Sequence, residues 1–216
     1  MDNRLQRTAI AFITNLTGAT AAEIQEYAAE IRDNRKFYKG IEEKRNSYGR
    51  RESVWYYGLN RTLGTVLYII CRKQRPDYVL ETGVASGVSS SYILGALEVN
   101  GRGQLYSIDL PVWQKIPSGW MIPDYLRNRW QLIQGMSSKK MAPLLGKIKE
   151  IDIFLHDSDH SYENMLWEFE TVWTHLKTGG LLLAHNIDYC DAFTDFCRDH
   201  KVEGLTLGDM GGAIKR

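Results

Sequence analysis

Paired cysteines, net charge and long apolar runs are all scarce in this chain. Its 216 residues hold three cysteines, Cys71, Cys190 and Cys197, an odd number with no C-x-x-C pair. That excludes a zinc knuckle and a complete disulfide framework, and it suits a reducing cytoplasm. Net charge is close to nil, since 27 Lys and Arg face 26 Asp and Glu to leave +1. Nucleic acid usually demands a strongly basic face, so no nucleic-acid partner is expected. Apolar runs such as Ala9–Ile13 and Leu63–Cys71 fall far short of the roughly 20 residues that a membrane span needs, and no signal peptide or membrane contact is read. What remains, at 44% hydrophobic, is a chain with the core of one main domain, a small molecule as its expected partner, and room for a homo-oligomer.

Residues 1–52 read as an N-terminal helical cap, with a broken apolar stripe at Ile24, Ala28 and Ile31 and no strand pattern. Its later part is basic, from Arg32 and Arg35 through Lys44 and Arg45 to Arg50 and Arg51, as a solvated helix face or a lid for an anionic substrate. From Ser53, an N-cap, a helix is expected to run to about Lys73, where Arg75-Pro76 ends it. Over 53–216 the elements then alternate. Strands are predicted near 77–82, 104–109, 131–134, 151–156 and 180–185, with helices near 88–98, 137–145, 162–176 and 189–200. Tyr162, Leu166, Phe169, Trp173 and Leu176 recur at helical spacing and are read as core. Leu205–Leu207 and Ala213-Ile214 flank a glycine-rich turn, which reads as a terminal antiparallel hairpin. The fold class is therefore α/β, Rossmann-like and doubly wound, with a mostly parallel seven-stranded sheet.

The stretch Val79–Ser90, VLETGVASGVSS, carries the most chemistry: an apolar strand, an acid, two glycines four apart and a helix start. In an open parallel sheet that turn lies at the ligand crevice, and glycine lets a bulky ligand approach the backbone. The spacing is E-x-G-x-x-x-G, not G-x-G-x-x-G. Such a looser turn suits a nucleotide-like ligand without a pyrophosphate, of which S-adenosylmethionine is one. Glu81 and Asp109 both end strands, and Asp109 follows Gly87 at about the distance where dinucleotide folds place a ribose-binding acid. After the third strand, Gly135-Met136-Ser137 opens a helix at which Ser137 either caps or meets an adenine edge. Two acids and two histidines, His156, Asp157, Asp159 and His160, crowd the end of the fourth strand, and His185-Asn186 ends the fifth. Helix capping explains one acid, not the set. A divalent metal between these turns is one reading, and a plain buried, hydrogen-bonded His185 is the other.

Taken in order, VLETGVASGVSSSYI, LYSIDL, LIQGMSS, DIFLHDSDHSYE and GGLLLAHNI resemble the motifs of class I S-adenosylmethionine-dependent methyltransferases, from roughly Tyr57 to the C-terminus. Within these the chain looks most similar to the metal-dependent small-molecule O-methyltransferases. Asp157–Tyr162 is similar to the branch with macrolide-sugar O-methyltransferases and cephalosporin-hydroxylase-like proteins, and catechol O-methyltransferase has a lysine at the position of His160. The resemblance implies Asp157 and His160 as catalytic residues, the acid on Mg²⁺ or Mn²⁺ and the histidine as base. It implies Glu81, Gly83, Gly87, Ser89, Asp109, Gly135, Ser137 and Asp157 around the cofactor, and Asp157, His185 and Asn186 around the metal. His185-Asn186 departs from the family's more acidic pair, which lowers the affinity expected for Mg²⁺. The implied activity is methyl transfer from S-adenosylmethionine to a hydroxyl of a sugar or phenol-like molecule. A metal-independent methyltransferase and a non-catalytic S-adenosylmethionine-binding protein are the alternatives. Pro111–Met121, which joins aromatics to turn-forming residues, is expected as a substrate lid or as a packing or dimer contact.

Overall fold

Residues 6–47, 61–110 and 117–216 are described by the computed structural model. Three helices, α1 (Arg7–Thr17), α2 (Ala21–Arg32) and α3 (Arg35–Ser47), precede α4 (Arg61–Gln74). A capping box opens α2, where the Thr20 side chain accepts from the Glu23 amide and Glu23 reaches back to the Thr20 N–H. After α4 come β1 (Tyr78–Thr82), α5 (Val88–Asn100), β2 (Gln104–Asp109), a 3₁₀ turn at Asp124–Arg129, β3 (Trp130–Gln134) and α6 (Ser137–Ile148). The chain continues through β4 (Ile151–His156), α7 (Tyr162–Trp173), β5 (Leu176–Ala184) and α8 (Ala192–Asp199). It ends in a hairpin, β6 (Leu205–Leu207) and β7 (Met210–Ile214), whose second strand pairs antiparallel with β5. The sheet order is β3-β2-β1-β4-β5-β7-β6, with β1 to β5 parallel. This is the doubly wound, Rossmann-like sheet that the alternation predicts.

Strand side chains alternate between two cores, as a period of two requires. Val79, Ile153, Leu155, Leu181 and Leu183 face one side, packed with α4, α5 and apolar residues of α1 to α3. Leu80, Phe154 and Leu182 face the other, under α6, α7 and α8. The N-terminal helices thus share the core of the sheet. In particular Phe12 and Leu16 of α1 lie so close to Gly212 that a β-carbon there would approach Leu16 to 2.8 Å. The N-terminal edge of the sheet is tied by Asp152, which accepts from the Asp77 and Tyr78 amides (2.9 and 2.8 Å) and from Lys177 Nζ (2.7 Å).

Several boundaries differ from the sequence reading. The helix expected over 162–176 stops at Trp173, because β5 begins at Leu176 to pair with Ile151, through an irregular register between Ile151 and Ile153. The last helix starts at Ala192 rather than 189, after a turn in which the Tyr189 N–H donates to the Asn186 carbonyl. Ser53 as N-cap, the boundary at 52/53, Arg50, Arg51 and residues 111–116 of the expected lid lie outside the described residues. Part of the basic run is directed at the 3₁₀ turn: Lys44 pairs with Asp124 at 2.5 Å, and Lys36 Nζ sits 4.0 Å from the Tyr125 ring centroid.

Candidate active site

The C-terminal ends of β1 to β5 form one edge, stitched by backbone bonds that continue beyond the strands. Gly83 N–H donates to Ile108 O (2.9 Å), Gly135 N–H to Asp109 O (2.8 Å), Asp157 N–H to Thr82 O (2.8 Å) and His185 N–H to His156 O (2.9 Å). Gly83 has φ +79, and a β-carbon on it would stand 1.9 Å from the Asp157 carbonyl oxygen. Gly87 has φ +87 and opens α5, and its β-carbon would meet Gly119 Cα at 2.7 Å. What these missing side chains make room for is therefore the chain's own backbone. At Gly135 the neighbour is only the flexible Lys140 side chain. Between the first two glycines Ala85 holds φ +46, uncommon for a residue with a side chain, and its N–H donates to Asp109 Oδ2 at 3.2 Å. Asp109 also accepts from the Leu110 amide at 2.9 Å. Burial raises its pKa, opposed by the Ser118 hydroxyl and the amides of Leu110, Ala85 and Val84.

Glu81 and Ser89, both expected at the ligand, are buried and face each other. The Glu81 carboxyl accepts from Ser89 Oγ (2.5 Å), Ser90 Oγ (2.6 Å) and Ser107 Oγ (2.8 Å) beneath the start of α5. Burial pushes its pKa up to about 7 against the pull of the three hydroxyls, with the charge of Asp157 adding to the rise.

Across the crevice Asp157 Oδ1 is 3.0 Å from His185 Nδ1 and 4.0 Å from His160 Nε2, while His185 Nε2 is 3.4 Å from Asp209 Oδ2 in the hairpin turn. Burial works against a charged His185, but the hydrogen bond and charge of Asp157 and the charges of Asp209 and Asp188 hold its pKa above the usual range. His160 is shifted the other way, first by burial and then by His156, with Asp157 opposing. Its ring is therefore neutral near pH 7 and retains a lone pair. The ring of Tyr189, largely exposed, lies 5.3 Å from it. Behind them His156 Nδ1 is 2.7 Å from Glu168 Oε2, both residues fully buried. Glu168 further accepts from Thr82 Oγ1 (2.6 Å), Ser158 Oγ (2.9 Å) and Asn164 Nδ2 (3.3 Å). Burial opposes its charge, yet the hydrogen bond and charge of His156 and the hydroxyls of Ser137 and Thr82 bring its pKa below the usual value.

The expected metal ligands do not fit a metal centre. The ring nitrogens of His185 are turned to carboxylates, Nδ1 at 3.0 Å from Asp157 and Nε2 at 3.4 Å from Asp209, rather than toward a common point with Asn186. Asn186 follows in left-handed backbone, φ +56, and among the described residues no group of three or more His, Cys, Asp or Glu could hold a metal ion.

Sequence reasoning missed Glu168, Asp209 and Tyr189. The expected core stripe holds at Phe169 and Leu176, which are buried, and at Leu166 and Trp173, which pack partly buried against the core, but not at the exposed Tyr162; the fully buried face of α7 also takes in Met165, Glu168 and Val172. A carboxylate in line with three apolar residues at 3.6-residue spacing was the available signal.

A family profile described as a methyltransferase domain matches residues 80–187. No curated protein matches the sequence significantly. Among solved structures, the chain is similar to the SAH-bound methyltransferase PaMTH1 of Podospora anserina, at 15% identity and TM-score 0.60 over 92% of this chain and 97% of that one. It is similar also to an O-methyltransferase from Bacillus cereus in complex with SAH, at 14% identity and TM-score 0.60 over 95% and 96%. At such identities the likeness speaks to the fold, which covers nearly the whole of each chain.

Proposed function

We propose, since this chain belongs to the methyltransferase-domain family, that it transfers the methyl group of S-adenosylmethionine to a hydroxyl of a small molecule, a phenol or a sugar. The observation that carries this reading is the contact of Gly83 with the Asp157 carbonyl, which makes the turn suited to the methyl donor and the turn bearing His160 immediate neighbours. The residues fit such a donor. Asp109 is only half-buried and keeps acceptor capacity for ribose hydroxyls, and the first-turn amides of α5 suit a carboxylate. Leu110 and Met136 follow β2 and β3 as exposed apolar side chains, a place for a planar base next to Gly135 and Ser137. Glu81 and Ser89 support this side from beneath by holding the start of α5.

When bound, S-adenosylmethionine supplies an electrophilic methyl group on a sulfonium. His160 takes the proton from the acceptor hydroxyl, Asp157 steadies the pair of histidines around it, and Tyr189 offers the acceptor an aromatic wall. This step is written without a metal, since the Asp157 oxygen that would hold one is already hydrogen-bonded to His185 at 3.0 Å. With Cys71 and Cys197 buried and unpaired, and no helix among the described residues long and apolar enough to cross a membrane, we assign the protein to the cytoplasm. The test is calorimetric binding of S-adenosylmethionine followed by labelled-methyl transfer to a panel of phenols and sugars, with and without a chelator. Expected are micromolar-scale binding, label on a hydroxyl and an unchanged rate under chelation. Absence of binding would overturn the donor assignment, binding without transfer to any acceptor would leave a non-catalytic binder, and a chelated rate restored by Mg²⁺ would return the metal.

A further inference from the structure

Among the described residues two buried side-chain polar atoms have no partner, His156 Nε2 and His160 Nδ1. They belong to rings in edge contact, with centroids 5.4 Å apart and planes at 77°. Buried polar atoms are nearly always paired, so two orphans on touching rings call for a common explanation. We propose that Glu168 and His156 are positioning residues that hold His160 as its Nδ1–H tautomer, leaving the Nε2 lone pair to face the acceptor. The proposal rests on the reading of His160 as base.

The direction of the chain of bonds follows from its buried end. Glu168 receives the Thr82 and Ser158 hydroxyls and the Asn164 amide, so it acts toward His156 as an acceptor, and the proton lies on His156 Nδ1. In a neutral His156 the Nε2 atom is then an acceptor. It is satisfied by Nδ1–H of His160, the other unpaired atom, through one bridging water. His160 Nε2 is left without a proton, 4.0 Å from an Asp157 oxygen that His185 already occupies at 3.0 Å. In the reaction the acceptor oxygen forms its bond to the methyl carbon as the carbon–sulfur bond breaks. The hydroxyl proton passes to His160 Nε2, and the resulting positive charge is spread through His156 toward the Glu168 carboxylate.

The test is two-bond ¹H–¹⁵N correlation spectroscopy on the full chain with ¹⁵N-labelled histidine near neutral pH, which reports the proton on each ring nitrogen. Expected are His156 and His160 both protonated at Nδ1 and bare at Nε2. A proton on His160 Nε2 in the resting protein would overturn the proposal even if methyl transfer is intact, and the expected tautomers would stand even if no acceptor were found. Glu168→Gln is expected to move the His156 proton to Nε2 and to lower kcat about 10–100-fold, with KM and cofactor affinity nearly unchanged. Unchanged tautomers and kcat in that variant would overturn the relay. If the variant does not fold, the wild-type spectrum alone decides.

Discussion

On the side of β1 to β3 the crevice is held by backbone: Gly83 against the Asp157 carbonyl, Gly87 against Gly119, and the Ala85 amide on Asp109. On the side of β4 and β5 it is held by charge and ring nitrogens, with His185 between Asp157 and Asp209 and His156 on Glu168. Backbone approach tolerates no added atom, whereas a charged network tolerates isosteric change in shape but not in protonation. The first side is thus a rigid cradle and the second an adjustable chemical apparatus. Perturbing one residue of each kind breaks this contrast or sharpens it.

The largest effect is expected from Gly83→Ala. A β-carbon 1.9 Å from a carbonyl oxygen, at φ +79, displaces the β4 turn, costing more than about 3 kcal/mol and with it most of the folded protein. Denaturant unfolding measures this directly. A midpoint equal to wild type would show that the two turns separate freely, and the cradle would not be rigid.

Next comes His160→Gln, which keeps the bulk and removes the proposed base. Single-turnover methyl transfer should fall about 10²–10⁴-fold with cofactor binding retained. Because burial and His156 lower the His160 pKa, the base stays neutral further into acid, and the wild-type rate should decline only below the usual histidine value of about 6.5. A variant rate within a few-fold of wild type would remove His160 from the reaction.

The smallest effect is a slope. Glu81 has a folded pKa of about 7 against an ordinary 4.5, so between these values the folded chain keeps a proton that the unfolded chain releases. Its contribution to stability is present below about 4.5 and is lost as pH rises to about 7, at most about 3 kcal/mol. His185, with its raised pKa, loses stability in the same direction through its own higher range, and His160 acts oppositely. Urea midpoints across this window should show a shallower fall in Glu81→Gln than in wild type. An unaltered slope would mean that Glu81 titrates normally.

The contrast between the two sides also explains what could be read early. Alternating strands and helices, the hairpin and the E-x-G-x-x-x-G turn were legible because hydrophobic period and glycine demand act over a few adjacent residues. The clustering of Asp157, His160 and His185 at strand ends followed from the parallel topology. The stripe of α7 is legible at Leu166, Phe169 and Trp173, which lie in or against the core, but its neighbours Met165 and Val172 are buried more completely, and only contact with the sheet selects the face that also buries Glu168.

Sequence by itself determined the element order, the edge on which the site lies and the residue types available there, because these depend on local propensity and on chain connectivity. Tertiary structure alone decided that Glu81 turns to three serines, that Gly83 yields to Asp157, and that His185 lies between Asp157 and Asp209. Protonation and pairing depend on burial and on groups brought together from distant positions along the chain, and neither exists until the sheet has closed around them.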